Sequence, residues 1–243
     1  MKLHGVVVRG EEKIEVYFPE RPVYWERRIS ELLSVIMDVE NAKKGMRFFG
    51  DLPVYYVYNL WNGIDYYRKI KNDYKLNFDL TLLKGGVFYP GEISEFFLTY
   101  GHVHEKERGE VYRVLKNECM IMLADLKKKV CFYSELKEGD IFFVHPKYAH
   151  RLISTGRDCL VLCISPEDAG HNYEIIKGRG FPYHFFLENG WIKIVENKKY
   201  KDEFKIRKVF QKNKIDLENL DKIREILYKP NKNEKFYHLK PTL

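Results

Sequence analysis

Two histidines two residues apart, His102 and His104, precede a charged run and then Glu110, and imidazole and carboxylate are side chains that hold a divalent cation. In an extended strand, residues i and i+2 share a face, so both imidazoles project together. The short polar stretch "EKERG" predicts a hairpin that brings Glu110 back towards the two rings. A further histidine comes from far along the chain. His150 opens a strand-like run after "HPKYA", and His145 in the same stretch competes with it for the fourth position. Such a nitrogen and oxygen set suits Fe, Mn, Ni, Zn or Co and leaves coordination positions for water or substrate. A lone HxH in a strand is more often structural than ligating. The distant histidine behind a proline-marked turn is what raises the pair to a candidate metal site.

Something rigid must bring these residues together, and the middle of the chain supplies strands. Apolar, aromatic and β-branched runs recur at 54–61, 77–86, 95–101, 110–115, 119–125, 129–136, 140–146, 150–155 and 159–165, separated by turn residues. Short strands at this spacing predict an all-β sandwich or barrel. A further hairpin is predicted over 184–197, where Asn189-Gly190 favours a type I′ turn. Outside this region the pattern changes. Leu32, Leu33, Ile36 and Met37 give 25–38 the apolar face of a helix. Leu217, Leu220, Ile223 and Ile226 do the same within the charged run 205–229, with Asp216 as a candidate cap, and the last dozen residues read as a tail. The expected organisation is an N-terminal extension over 1–50 packed on a barrel over 51–200, followed by a helical extension and tail over 201–243.

The chain has 243 residues, of which 45% are hydrophobic and 15% aromatic, enough for one sizeable β-rich core. The formal net charge of +7 suits anionic partners such as phosphorylated metabolites. The basic residues are spread along the chain without a Lys/Arg run, which argues against nucleic acid. Cys119, Cys131, Cys159 and Cys163 form no CxxC pair and sit in apolar runs, as buried thiols of a reducing compartment do. No apolar stretch is long enough for a membrane span or a signal peptide, so a soluble cytoplasmic protein is expected.

Taken in order, "FDLTLL", "FFLTYGHVH", "GEVYRVLKNECMIML", "EGDIFFVHPKYAHRLISTG" and "SPEDAGHNYEIIKGRGF" resemble the cupin superfamily, and within it the cupin-type glucose-6-phosphate isomerases of archaea. The resemblance covers roughly residues 50–200. The run "DAGHNY" is its most particular part, and "RRISELLSVIMD" is similar to the family's N-terminal region more loosely. It implies a cupin double-stranded β-helix (jelly roll) that forms a homodimer. It implies His102, His104, Glu110 and His150 as ligands of one divalent metal ion (Fe, Mn, Ni or Zn). Thr81, Thr99, Gly101 and Tyr173 would contact the sugar phosphate, and His171 and Tyr112 would lie near the sugar.

Four departures stand out. The interval from His104 to Glu110 is one residue short. Asn117 stands near a turn where glycine is usual, and asparagine tolerates positive φ. Ser165 replaces a tyrosine in "SPEDAGH", and His145 stands where proline is usual. The last 40 or so residues have no counterpart in the resemblance.

Aldose–ketose isomerisation moves a hydrogen between C1 and C2. A cation would stabilise the charge that develops on oxygen, and Glu110 is the best-placed base for a proton route, with hydride transfer as the other route. A carboxylate bound firmly to a cation is a weaker base. Threonines in strands are commonly chosen for β-propensity alone, and Tyr112 also suits barrel packing. Lys84, Lys147 and Arg151 rank lower as phosphate partners. The competing readings are another cupin enzyme, such as a different phosphosugar isomerase or an iron dioxygenase, and a non-catalytic sugar-binding cupin.

Overall fold

A computed structural model of the chain describes residues 3–20, 22–201 and 203–242. A small hairpin, β1 (Val7–Arg9) and β2 (Glu15–Tyr17), precedes β3 (Val23–Arg28), α1 (Ile29–Leu32), α2 (Val39–Phe49), β4 (Pro53–Asn59), α3 (Asp65–Tyr74) and β5 (Leu76–Leu83). Then follow β6 (Ile93–Glu95), β7 (Glu110–Lys116), β8 (Glu118–Asp125), β9 (Val130–Lys137), β10 (Ile141–Val144), β11 (Ala149–Ser154) and β12 (Cys159–Pro166). The chain closes with β13 (Tyr183–Glu188), β14 (Trp191–Glu196), β15 (Lys205–Phe210), α4 (Leu220–Tyr228), a 3-10 turn at Pro230–Lys232, α5 (Glu234–Tyr237) and β16 (Lys240–Pro241).

The strands make a six-stranded sheet ordered β10-β7-β12-β5-β4-β3, a five-stranded sheet ordered β11-β8-β9-β15-β16, and a three-stranded sheet ordered β14-β13-β6. This is an all-β jelly roll of facing sheets. The two larger sheets do not join into one closed cylinder of hydrogen bonds; isolated bridges such as Leu98↔Ile153 and His102↔His150 tie further segments to them.

Two apolar clusters explain why the central strands read as unbroken hydrophobic runs rather than alternating ones. One lies between the sheets and includes Met120, Met122, Phe142, Val144, Val161 and Phe185. The other covers the outer face of the six-stranded sheet, where Leu76, Phe78, Leu160, Leu162 and Ile164 meet Tyr67 and Ile70 of α3 and Ile223, Ile226 and Leu227 of α4. A strand covered on both faces has no polar side to show, and β12 is buried throughout.

The core strands lie where their patterns place them, and Asn189 and Gly190 carry the positive φ of 51° and 81° that a two-residue hairpin turn needs. Asn117 also takes positive φ, at 59°. Several expected elements differ. The helix expected over 25–38 is a strand as far as Arg28, paired antiparallel with β4, and only Ile29–Leu32 is helical before a turn. Its apolar face is nonetheless buried, because Leu32 and Ile36 point into the core from that turn. Residues 95–101 form a ladder only as far as Glu95 and then run as bridged coil. The charged run after 205 begins as β15, parallel to β9, rather than as a helix. Asn219, not Asp216, caps α4 through its side chain; the Asp216 carboxylate accepts from Glu218 N two residues on. The last dozen residues are not a free tail: Tyr237 is buried and β16 pairs with β15. Helix α3 has no counterpart in the sequence reading. Its apolar positions are tyrosines and one isoleucine among charges, a weak periodic signal.

Candidate metal centre and cavity

The histidine pair and Glu110 do not meet as a hairpin. β7, which carries Glu110, pairs with β10 and β12, whereas His102 bridges to His150 and Val103 to Asn172. The carboxylate therefore reaches the histidines across the gap between the facing sheets. The donor atoms of His102, His104, Glu110 and His150 all lie within 4.8 Å of one another. Glu110 Oε2 is 2.9 Å from His150 Nε2, 3.3 Å from His104 Nε2 and 3.9 Å from His102 Nε2. Ligands held at ~2.1 Å from one ion must lie ~3–4 Å apart, so small side-chain adjustments close this set around a cation.

The outer hydrogen bonds of the rings favour the same reading. His104 Nδ1 lies 2.5 Å from Arg108 O, and His150 Nδ1 lies 3.3 Å from Tyr148 O. A carbonyl only accepts, so each Nδ1 carries a proton, and each Nε2 is aimed at Glu110, where it can donate to the carboxylate or, deprotonated, offer a lone pair to a cation. His102 Nε2 is buried and, among the described residues, has no hydrogen-bond partner, an atom that a cation at this point would satisfy. Burial pulls the His102 pKa well below its usual value, and the nearby His150 adds to this, so its ring is neutral and ready to ligate. Burial opposes ionisation of Glu110, but hydrogen bonds from His104 and His150 outweigh it and hold the carboxyl well below the usual range. The residues present thus fit a divalent metal ion. His145 takes no part: its Nε2 meets Asn231 Oδ1 at 3.1 Å beside a separate cavity formed with the C-terminal segment.

The cluster opens on a cavity of about 410 Å³. Thr81, Thr99, Gly101, Tyr112, His171 and Tyr173 all line it together with His102, Glu110 and His150. Tyr112 Oη donates to Glu110 Oε2 at 3.0 Å, and burial followed by the Glu110 charge keeps its phenol protonated. His171 packs on His102 with ring centroids 4.0 Å apart and has Tyr173 Oη 3.4 Å from its Nδ1. It stands at the exposed rim, and partial enclosure lowers its pKa. Thr99 Oγ1 accepts from Leu152 N at 2.9 Å, which leaves its hydroxyl hydrogen free. Gly101 has φ +83°, and a Cβ there would press on Phe181 and His150 O, so packing alone requires glycine.

Among the lower-ranked cations, Lys84 pairs with Asp158, and Lys147 lies over the Tyr148 ring. Arg151 is buried and donates to Val35 O and Tyr183 O, but it also lines the cavity, and among the described residues its Nε has no partner. Ser165 is buried opposite Asn77 in the β5–β12 register and lies outside the cavity lining.

Sequence reasoning missed Arg27 and Asp79. Arg27 projects from β3 with Trp25 into the cavity; its Nη1 meets Glu31 at 2.8 Å, but among the described residues its buried Nε has no partner. Reading 25–38 as a helix hid the strand alternation that would have shown it. Asp79 lines the cavity from β5, accepts from Asn59 Nδ2 at 2.7 Å and Trp61 Nε1 at 3.1 Å, and has its pKa pushed up to about 6, chiefly by burial.

A jelly roll that gathers three imidazoles and one carboxylate beside an open cavity defines a cupin with a candidate metal centre. The glucose-6-phosphate isomerase (GPI) family profile matches residues 26–204, and the chain belongs to that family. It is 36% identical to the glucose-6-phosphate isomerase of Thermococcus litoralis over 178 residues, covering 72% of this chain and 86% of the relative. It is 34% identical to that of Pyrococcus furiosus over 178 residues, covering 72% and 87%. Among solved structures, an oxalate oxidase aligns with a TM-score of 0.38 at 13% identity over 50% of this chain and 55% of the other.

Proposed function

We propose that this chain is an isomerase that interconverts glucose 6-phosphate and fructose 6-phosphate, a step of glycolysis and gluconeogenesis, with one divalent ion (Fe, Mn, Ni or Zn) held by His102, His104, Glu110 and His150. The carrying observation is that four donor atoms lie within 4.8 Å of one another, and that His102, Glu110 and His150 of this set line a cavity of about 410 Å³ that a hexose phosphate can enter. The bound ion would supply Lewis-acid stabilisation of negative charge on the sugar oxygens.

The chain's own groups divide the remaining work. Glu110 Oε2 faces His104, His150 and the Tyr112 hydroxyl, which leaves Oε1 to take the proton from C2 and return it at C1, while the hydroxyl proton on O2 is passed to O1. Tyr112 fixes the carboxylate through its 3.0 Å hydrogen bond. His171 and Tyr173 at the rim assist opening of the sugar ring. The phosphate lies towards Thr99, Gly101, Thr81 and Tyr173, where the free Nε–H of Arg27 adds a charged donor. A homodimer completes the reading, supported by the exposed Trp191 and Ile192 on the edge strand β14.

The test is a coupled assay of fructose 6-phosphate conversion on chelator-treated protein, with Fe²⁺, Mn²⁺, Ni²⁺ or Zn²⁺ restored singly. Isomerisation restored by at least one ion is expected. Full activity in the stripped protein, or none with any of the four, defeats the proposal.

A further inference from the structure

The segment after residue 204 lies outside the family match, yet it touches the turn that carries the ligands. Helix α4 leaves its last carbonyls without partners inside the helix, as every helix does. Here Glu225 O accepts the ordinary i+4 bond from the C-cap Lys229 N, and the next two find partners outside the helix: Ile226 O accepts from the Tyr237 hydroxyl at 2.9 Å, and Leu227 O from Gly109 N at 2.8 Å. Gly109 N–H belongs to the same peptide unit as Arg108 C=O, and that carbonyl accepts from His104 Nδ1 at 2.5 Å. One peptide plane therefore joins the negative end of α4 to a metal-binding imidazole. Pulling on its N–H polarises its C=O, which makes the carbonyl a stronger acceptor and the imidazole a stronger donor to an ion.

Side chains hold the plane in place. The Arg108 guanidinium is forked onto Asp168 through Nε at 3.0 Å and Nη2 at 3.1 Å, and it lies 4.8 Å from the centroid of the Tyr228 ring at the end of α4. Tyr237 packs so closely on Gly109 that a Cβ at 109 would collide with its hydroxyl. Glycine at 109 is thus required by the contact with the C-terminal segment.

We propose that the C-terminal segment is a positioning element of the metal centre, acting on His104 through the 108–109 peptide. The inference rests on His104 being a ligand. The experiment titrates the chelator-stripped full-length chain with Co²⁺ and follows the visible d–d band, which reports both affinity and ligand geometry. Gly109→Ala is expected to weaken Co²⁺ binding by about 10–100-fold, the usual cost of disturbing a ligand's hydrogen-bond partner, and to change the band shape. Adding Tyr237→Ala makes room for the new methyl and is expected to recover much of the affinity. A structural role alone would lower thermal stability without moving the spectrum.

Should Gly109→Ala fail to fold, Tyr237→Phe keeps the ring and removes only the bond to Ile226 O. A several-fold loss of affinity is expected there. Folded variants with native affinity and an unchanged band overturn the inference. Absence of Co²⁺ binding by the native chain overturns the ligand assignment itself, and this inference with it.

Discussion

At the scale of single residues, the strongest feature is a buried atom with nothing to bond. An unsatisfied buried nitrogen costs ~1–3 kcal/mol, and His102 Nε2 is one such atom beside two imidazoles that face a carboxylate. A cation relieves all of these at once. His104→Ala is therefore expected to abolish stoichiometric metal binding and to lower isomerase kcat by about a hundredfold or more, since removing an outer partner alone costs 10–100-fold. Elemental analysis and the coupled assay check it, and a variant that keeps one ion per chain refutes it.

Asp79 gives a separate prediction. Its folded pKa of about 6 stands above the ordinary 3.8, so the native state disfavours the ionised form. The penalty is absent below about pH 4, grows as pH rises through the unfolded and then the folded value, and is complete above about pH 6. Asp79→Asn keeps an acceptor for Asn59 and Trp61, so it is expected to stabilise the protein by ~1–3 kcal/mol at pH 8 and by little at pH 4. Urea melts at the two pH values measure this, and equal effects at both would refute it. The HxH, Glu110 and His150 were legible because ligand chemistry restricts residue type. Asp79 was not, because one acid in an apolar strand shows no periodic signal.

At the scale of elements, local pattern and tertiary pairing disagree in instructive places. The central strands were readable because burial on both faces concentrates apolar and β-branched residues into short runs. The segment 25–38 misled because the spacing of Leu32, Leu33, Ile36 and Met37 suits a helical face, while the pairing of Val23–Arg28 with β4 depends on partners 25 or more residues away. The route by which Glu110 meets the histidines was hidden for the same reason, since no local signal says that a strand will cross to the other sheet.

The C-terminal helix was recognised by its spacing, but its partner was not. Ile226 is fully buried against the outer face of the six-stranded sheet. Ile226→Ala is expected to cost about 2–5 kcal/mol in urea unfolding, as for other large-to-small core substitutions, and to leave one cooperative transition. A cost near zero would mean that the helix is an appendage rather than part of the folded unit.

At the scale of the whole molecule, binding and charge act on quantities that no single contact sets. An ion that binds only the folded chain stabilises it by about 2.7 kcal/mol at a hundred times its dissociation constant. For a chain of this size, that raises the melting midpoint by roughly 5–10 °C. Thermal melts of stripped and Mn²⁺-loaded protein check this, and coincident curves would count against a resident ion.

The net charge of +7 acts further out. A dianionic sugar phosphate is drawn towards a cationic surface, and along the six-stranded sheet that lines the cavity Arg27 on β3 lies nearer the edge than Asp79 on β5 and Glu110 on β7. Long-range attraction is screened over about 10 Å at 0.1 M salt. Added KCl should therefore lower kcat/KM several-fold between roughly 20 and 200 mM while kcat changes little, because encounter is screened and the enclosed reaction is not. Arg27→Ala should lower kcat/KM at every salt concentration and flatten that dependence. If the variant keeps the native salt slope, steering comes from the surface at large and Arg27 is not the cation that receives the phosphate.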